Sequence, residues 1–328
     1  MNPVGESPTA EEYRDFGTRQ AGDSPCFTAW SLAVAEDPQV LALLEELPPD
    51  KRQPNLVFAA ARWHGARPGP YAGLRSVLTG RWERVRATVL ARSTQTNEPG
   101  RCATMLPVLA ALPGPLALLE VGCSAGLCLY PDRYSYRFST DRTVVAVDPP
   151  AGPSPVLLDC RIHGDAPLPS ALPDVVWRGG IDLSPLDVRD ADAVQWLQTL
   201  VWPEHDDRRT RLAAAVALAR AEPPSLTRGD LFDELPRLVE QVPEEATLVV
   251  FHSAVAAYLS EPDRRRLVEL LPRLPGHWLS NEGPTVLPDL TPPPPPTGAA
   301  GGSDPFLMAL DGRPVAWAHG HGRALHWI

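Results

Sequence analysis

Along the first third of the chain, apolar residues recur at helical spacing. The runs are Trp30, Leu32 and Val34, then Val40, Leu41, Leu43 and Leu44, then Leu56, Val57, Phe58 and Ala61. Pro38, Pro48, Pro49, Pro54, Pro68 and Pro70 punctuate them. No β-branched alternating run intervenes. The pattern predicts a helical N-terminal segment over residues 1–113, in which a polar stretch, Arg92–Arg101, leads into an apolar helix at Cys102–Leu112.

From Leu116 the texture changes. Leu-Ala-Leu-Leu-Glu-Val, closed by Gly122, has the character of a buried parallel strand. Tyr134–Phe138, Thr143–Val147 and Val156–Ile162 are strand-like runs between turn residues, expected as an inserted β-meander or hairpin over 134–163. Val175–Trp177 and Ile181–Leu183 form another candidate core strand, and further strands are predicted at Ser225–Arg228, Thr247–His252 and His277–Ser280. They alternate with helices at Asp190–Leu200, Arg208–Ala221, Leu231–Gln241 and Glu261–Leu271. Such alternation implies right-handed crossovers and a mostly parallel sheet. A Pro/Gly-rich loop is expected over 288–304, before closing strand-like runs at Phe306–Leu310, Pro314–Ala318 and Arg323–Ile328. The expected architecture is α/β: a Rossmann-like domain over 114–328 behind the helical segment.

Composition changes this picture little. Of 328 residues, 44% are hydrophobic and 21% charged, enough apolar surface for a sizeable core. The net charge of −10 argues against a nucleic-acid backbone as the main partner, because there is no basic surplus to release counterions. The five cysteines (Cys26, Cys102, Cys123, Cys128, Cys160) contain no C-x-x-C pair, so neither a disulfide framework nor a zinc site is expected. His319, His321 and His326 lack carboxylate or cysteine company, and no metal site is assigned to them. No signal peptide and no membrane span are read, so a cytoplasmic protein without a membrane partner is expected. Oligomeric state is not legible.

The chemistry concentrates after the first Rossmann strand. In Glu120-Val-Gly-Cys-Ser-Ala-Gly126, Gly122 permits a tight turn and Gly126 a close approach. Small residues between them keep backbone N–H groups accessible where a helix is expected to begin. The acid-x-Gly-x-small-x-Gly pattern resembles the first motif of S-adenosylmethionine-dependent methyltransferases. That resemblance implies a cofactor site in which Glu120 faces the amino-acid end and Gly122, Ser124 and Gly126 line the loop. Asp182, in Gly180-Ile-Asp-Leu-Ser-Pro185, would take the ribose hydroxyls, with Asp148 as a rival. Asp230, in Arg228-Gly-Asp-Leu-Phe232, would meet the adenine amino group. His252 and Glu282, at the ends of later strands, are the catalytic candidates facing a small-molecule acceptor. Each acid has a plainer reading as a turn or N-cap residue. The tryptophans Trp196 and Trp202 could wall an acceptor pocket or pack in a core.

The same segment is also Gly-x-Ser-x-Gly, the nucleophile elbow of α/β-hydrolases. Under that reading Ser124 is the nucleophile, with Asp182 or Asp230 and then His252 or His277 completing the order. Against it stand the helical 1–113 segment, the charge of Glu120 on the strand feeding the elbow, and the lack of an oxyanion segment upstream. A non-catalytic Rossmann-like binding protein is the third reading.

Several phrases together resemble the bacterial domain of unknown function 2332 across nearly the whole chain. They are Gln95-Thr-Asn-Glu98 with Arg101, Leu119–Leu127, Asp132-Arg-Tyr134, Arg178-x-Gly-Ile-Asp182 with Pro185, Trp202-Pro-Glu204, His252-Ser253, Tyr258-Leu259 and Trp278–Gly283. Cys128 stands where such members carry asparagine. The resemblance directs attention to Gln95, Asn97, Glu98 and Arg101 as either a lid over the cleft or a helix cap. The sequence thus points to an α/β, Rossmann-like methyltransferase-type, mostly parallel sheet with an inserted β-meander and a helical N-terminal segment, and to S-adenosylmethionine as cofactor.

Overall fold

A computed structural model describes residues 7–95, 97–288, 290, 293–295 and 305–328. Most of the Pro/Gly-rich stretch at 288–304 and the first six residues lie outside the described residues. The chain divides into two compact units, residues 1–96 with 191–210, and residues 97–190 with 211–328.

The first unit is helical: α1 (Pro8–Asp15), α2 (Pro25–Ala35), α3 (Pro38–Glu45), α4 (Pro54–Trp63), α5 (Tyr71–Gly80) and α6 (Trp82–Ala91). Prolines start four of these helices, Pro38 and Pro54 of the pattern-breaking set among them, where a missing N–H has no intrahelical role. Ser24 and Asp37 cap α2 and α3 by accepting N–H bonds of the first turn. Phe27, Trp30 and Phe58 form the aromatic centre, with rings 5.0–5.7 Å apart. Helix α7 (Arg101–Leu109), expected at the end of this segment, belongs to the second unit, whereas α8 (Ala191–Leu200) joins the first. Trp196 of α8 is 2% exposed in the helical core, and Trp202 packs on Phe16 and Phe27. The core-packing reading of the two tryptophans is the one observed. The division then falls within α9 (Asp206–Ala221).

The second unit is built on one sheet. Its strands are β1 (Leu116–Val121), β2 (Ser135–Ser139), β3 (Val144–Val147), β4 (Leu157–His163), β5 (Val175–Asp182), β6 (Ser225–Arg228), β7 (Thr247–Ser253), β8 (His277–Glu282), β9 (Phe306–Leu310), β10 (Arg313–Ala318) and β11 (Ala324–Trp327). The order is β3-β2-β4-β11-β10-β9-β8-β7-β1-β5-β6. Strands β6, β5, β1, β7 and β8 are all parallel, and β9 lies antiparallel beside β8. Helices α10 (Leu231–Val239) and α11 (Glu261–Leu270) contribute to an apolar cluster containing Leu119, Val121, Ile181, Leu248, Val250 and Trp278.

The first two of the 134–163 strands form a hairpin, but the three do not form a meander. β2 pairs antiparallel with β3 but parallel with β4, and β4 continues the main sheet through β11. The alternating burial of β4 explains this: Leu158, Cys160 and Ile162 are buried, and α7 packs against the strand. A free-standing meander would leave that apolar face uncovered.

Candidate functional site

Parallel register decides which strand-end residues share a face, because registered neighbours point the same way and alternate along each strand. Glu120 is opposite Gly180 on β5 and Phe251 on β7, whereas His252 is opposite Val121 and Ser280. Glu120 and Asp182 therefore lie on one face of the sheet; His252 and Glu282 lie on the other, with the Leu119–Trp278 cluster. The structure brings together Glu120, Gly122, Ser124, Gly126, Asp182 and Asp230 at the carboxyl ends of β1, β5 and β6. It places the two catalytic candidates apart from them, across the sheet.

The loop after β1 is held by its neighbours. Ser124 has φ 49°, and its N–H donates to Asp182 Oδ2 at 2.8 Å. Asp182 Oδ1 accepts from the Ser184 N–H at 2.8 Å. Asp230 Oδ1 accepts from the Phe232 N–H at 2.8 Å and caps α10. The turn and N-cap roles are thus present at both carboxylates. Gly122 has φ 69°, and a Cβ there would stand 2.4 Å from a Val255 methyl. At Gly126 a Cβ would meet Pro224 at 3.0 Å, so both glycines serve protein packing.

No α-helix follows the loop. Leu127–Leu129 is a single 3₁₀ turn, so the helix N-terminus expected there is absent. The reason lies upstream: Asn97 Oδ1 accepts from the Leu127 N–H at 2.6 Å, and Asn97 Nδ2 donates to the Cys123 carbonyl at 3.2 Å. Asn97 is a buried clamp that takes the N–H a ligand anion would use. Its neighbour Arg101 donates to the carbonyls of Ser253 (2.9 Å) and Gly320 (3.1 Å). Glu98 accepts from the Gly100 N–H and pairs with Arg211 at 3.3 Å. The polar cluster thus ties several carboxyl-edge loops to one another.

Glu120 is 4% exposed and its Oε2 has no hydrogen-bond partner. Burial drives its carboxyl well above the usual range, helped by Cys128 and Asp182 and opposed by Arg101. Across the sheet, His252 Nδ1 meets Glu282 Oε1 at 2.7 Å, and the Trp278 indole N–H donates to His252 Nε2 at 3.0 Å. Both ring nitrogens are occupied in a fully buried imidazole. The same Glu282 oxygen accepts from the Val255 and Ala256 N–H groups at 3.0 and 3.1 Å. The pair therefore positions the Val255 loop that packs on Gly122.

Asp148 directly follows β3, an edge strand far from the β1 loop in the sheet order, and is bound by Arg137 at 3.0 and 3.2 Å. Topology thus separates it from that loop. Sequence reasoning gave no role to the buried pair Arg178–Asp132, 2.6 Å apart beneath Tyr130, although both residues sit in conspicuous phrases. Among the described residues no group of three His, Cys, Asp or Glu side chains is placed to hold a metal ion. Nor is any helix among them long and apolar enough to cross a membrane.

No curated protein sequence matches the chain. A family model described as an uncharacterised protein conserved in bacteria matches residues 10–327. That match covers nearly the whole chain, both units included, and the chain belongs to this bacterial family, DUF2332.

Proposed function

We propose that the second unit binds S-adenosylmethionine at the carboxyl edge of β1, β5 and β6 and serves methyl transfer to a small acceptor. One observation carries the reading: the parallel order β6-β5-β1-β7-β8, flanked by antiparallel β9, sets three acids at adjacent strand ends. The unpartnered buried Oε2 of Glu120 suits an ammonium donor. Asp182 would take the ribose and Asp230 the adenine amino group. The fit runs through these acids, since Asn97 and Asp182 already hold two loop N–H groups.

When bound, the cofactor supplies an electrophilic methyl on a sulfonium. The chain's own part is alignment and exclusion of water. In this reading His252 and Glu282 act as positioning residues through the Val255 loop. Calorimetric titration with S-adenosylmethionine tests it. Binding that Asp182→Ala abolishes, in a variant whose ligand-free melting is close to wild type, supports the proposal; no heat and no melting shift at millimolar cofactor sinks it.

The positive φ of Ser124 favours one competitor, because a nucleophile elbow also uses that strained backbone. The occupied Nε2 of His252 counts against it. Fluorophosphonate labelling that Ser124→Ala abolishes would establish the hydrolase instead.

A further inference from the structure

Among the described residues strand β3 forms one edge of the sheet, and its sequence, Val144-Val-Ala-Val147, carries no charge, proline or bulge. Val144 is 63% exposed and Ala146 is also exposed. Protected edges usually carry one of those devices, because unpaired N–H and C=O groups invite another strand. The opposite edge, β6, ends in Arg228. Only its shortness blunts this edge, which leaves it open to a partner strand of similar length.

The backbone decides how a partner strand can add. The Thr140 N–H donates to the Thr143 carbonyl at 2.8 Å, so these two form a bonded pair across the hairpin turn. Bonded and non-bonded pairs alternate along an antiparallel ladder. With Ser139 opposite Val144 and Arg137 opposite Ala146, the N–H and C=O groups of Val144 and Ala146 point away from β2. One two-fold antiparallel register uses all of these outward groups: Val144 of one copy opposite Ala146 of the other, with Val145 facing itself on the axis. The same register sets Arg142 opposite Asp148 of the second copy. Arg142 is exposed, and Asp148 is half-buried beside Arg137 on that face. Arg137 holds both Asp148 oxygens within its own chain, and their outer lone pairs would receive Arg142 of the second copy. Backbone parity allows this register, and the Arg142–Asp148 pairing favours it over those shifted by two residues.

We propose that β3 is a self-association edge, through which two copies of this chain join their sheets antiparallel across a two-fold axis, with Arg142 of each copy on Asp148 of the other. The short strand implies a reversible dimer, weaker at high salt because its ion pairs are exposed.

Sedimentation velocity of the full chain over a wide concentration range tests the proposal. The expected result is a monomer–dimer equilibrium that Ala146→Pro abolishes. Proline at this position removes an outward N–H and none that β2 uses. Arg142→Glu should likewise give a monomer, and Val144→Lys offers a second edge block should the proline variant misfold. Register is read by Val145→Cys in a Cys26→Ser background under mild oxidation by copper–phenanthroline. Non-bonded antiparallel partners have Cα atoms about 4.5 Å apart, within disulfide reach, so rapid covalent dimer formation is expected there and not with Thr143→Cys. A wild-type chain that stays monomeric at the highest attainable concentration overturns the proposal. So does a dimer indifferent to all three edge variants, or one cross-linked at 143 and not at 145.

Discussion

Asn97→Ala should loosen the β1 loop selectively. The side chain lies 2.6 Å from the Leu127 N–H and 3.2 Å from the Cys123 carbonyl, and it is buried. Truncation removes two hydrogen bonds of about 0.5–1.5 kcal/mol each and can strand a buried N–H, which costs about 1–3 kcal/mol. Water entering the small void offsets part of this, giving an expected loss of about 2–3 kcal/mol. By the usual relation, loop amides that exchange through local opening should then speed up about 30- to 150-fold. Hydrogen exchange read by mass spectrometry on a peptide covering 122–129 measures this, with peptides from α2 and α4 as internal references. Asn97→Asp retains the acceptor for Leu127 but not the donor for Cys123, so an intermediate acceleration is expected. Exchange within about threefold of wild type in Asn97→Ala would refute the clamp and assign loop order to the Asp182–Ser124 bond.

Trp278→Phe deletes the indole N–H that lies 3.0 Å from His252 Nε2; a loss of about 1–3 kcal/mol is expected, measured by denaturant melting, and an unchanged midpoint would argue that the bond is not formed in solution. Gly180→Ala places a Cβ 2.7 Å from Cys123 Sγ and 2.8 Å from a Leu226 methyl; overpacking should cost about 1–3 kcal/mol, and Cys123→Ala in the same chain should restore part of it. The stacked rings of His163 and His326, 4.2 Å between centroids, join β4 to β11. Burial, then His163, lowers the pKa of His326 from its ordinary 6.5. The fold thus prefers the neutral ring, and the unfolded chain binds the proton first. The stability this contributes is complete above about pH 6.5 and is lost as pH falls from there towards the folded pKa. Protection factors in β4 and β11, corrected for the intrinsic pH dependence of exchange, should therefore fall between pH 7 and pH 5, and His326→Phe should flatten that dependence; protection that does not change with pH would count against the stack.

The helix and strand runs were legible because local periodicity carries them. Val249-Val-Phe-His-Ser253 is an apolar strand ending in polar residues whether or not its neighbours are known. The faces were not legible, because a parallel strand buried on both sides shows no alternation to read. Whether His252 shares a side with Glu120 depends on β7 pairing Phe251, and not His252, with Glu120. The β1 loop shows a second kind of opacity. Gly122–Gly126 has the composition of a strand–turn–helix site, yet its helix is replaced by a 3₁₀ turn through an asparagine thirty residues upstream of Leu127. Local chemistry specified a tight turn; a long-range amide decided what followed it. The same amide narrows the site's chemistry. With the Leu127 and Ser124 N–H groups held inside the protein, the edge offers acceptors more readily than donors. Under the proposed cofactor reading, Glu120, Asp182 and Asp230 would take ammonium, hydroxyl and amino groups rather than phosphate.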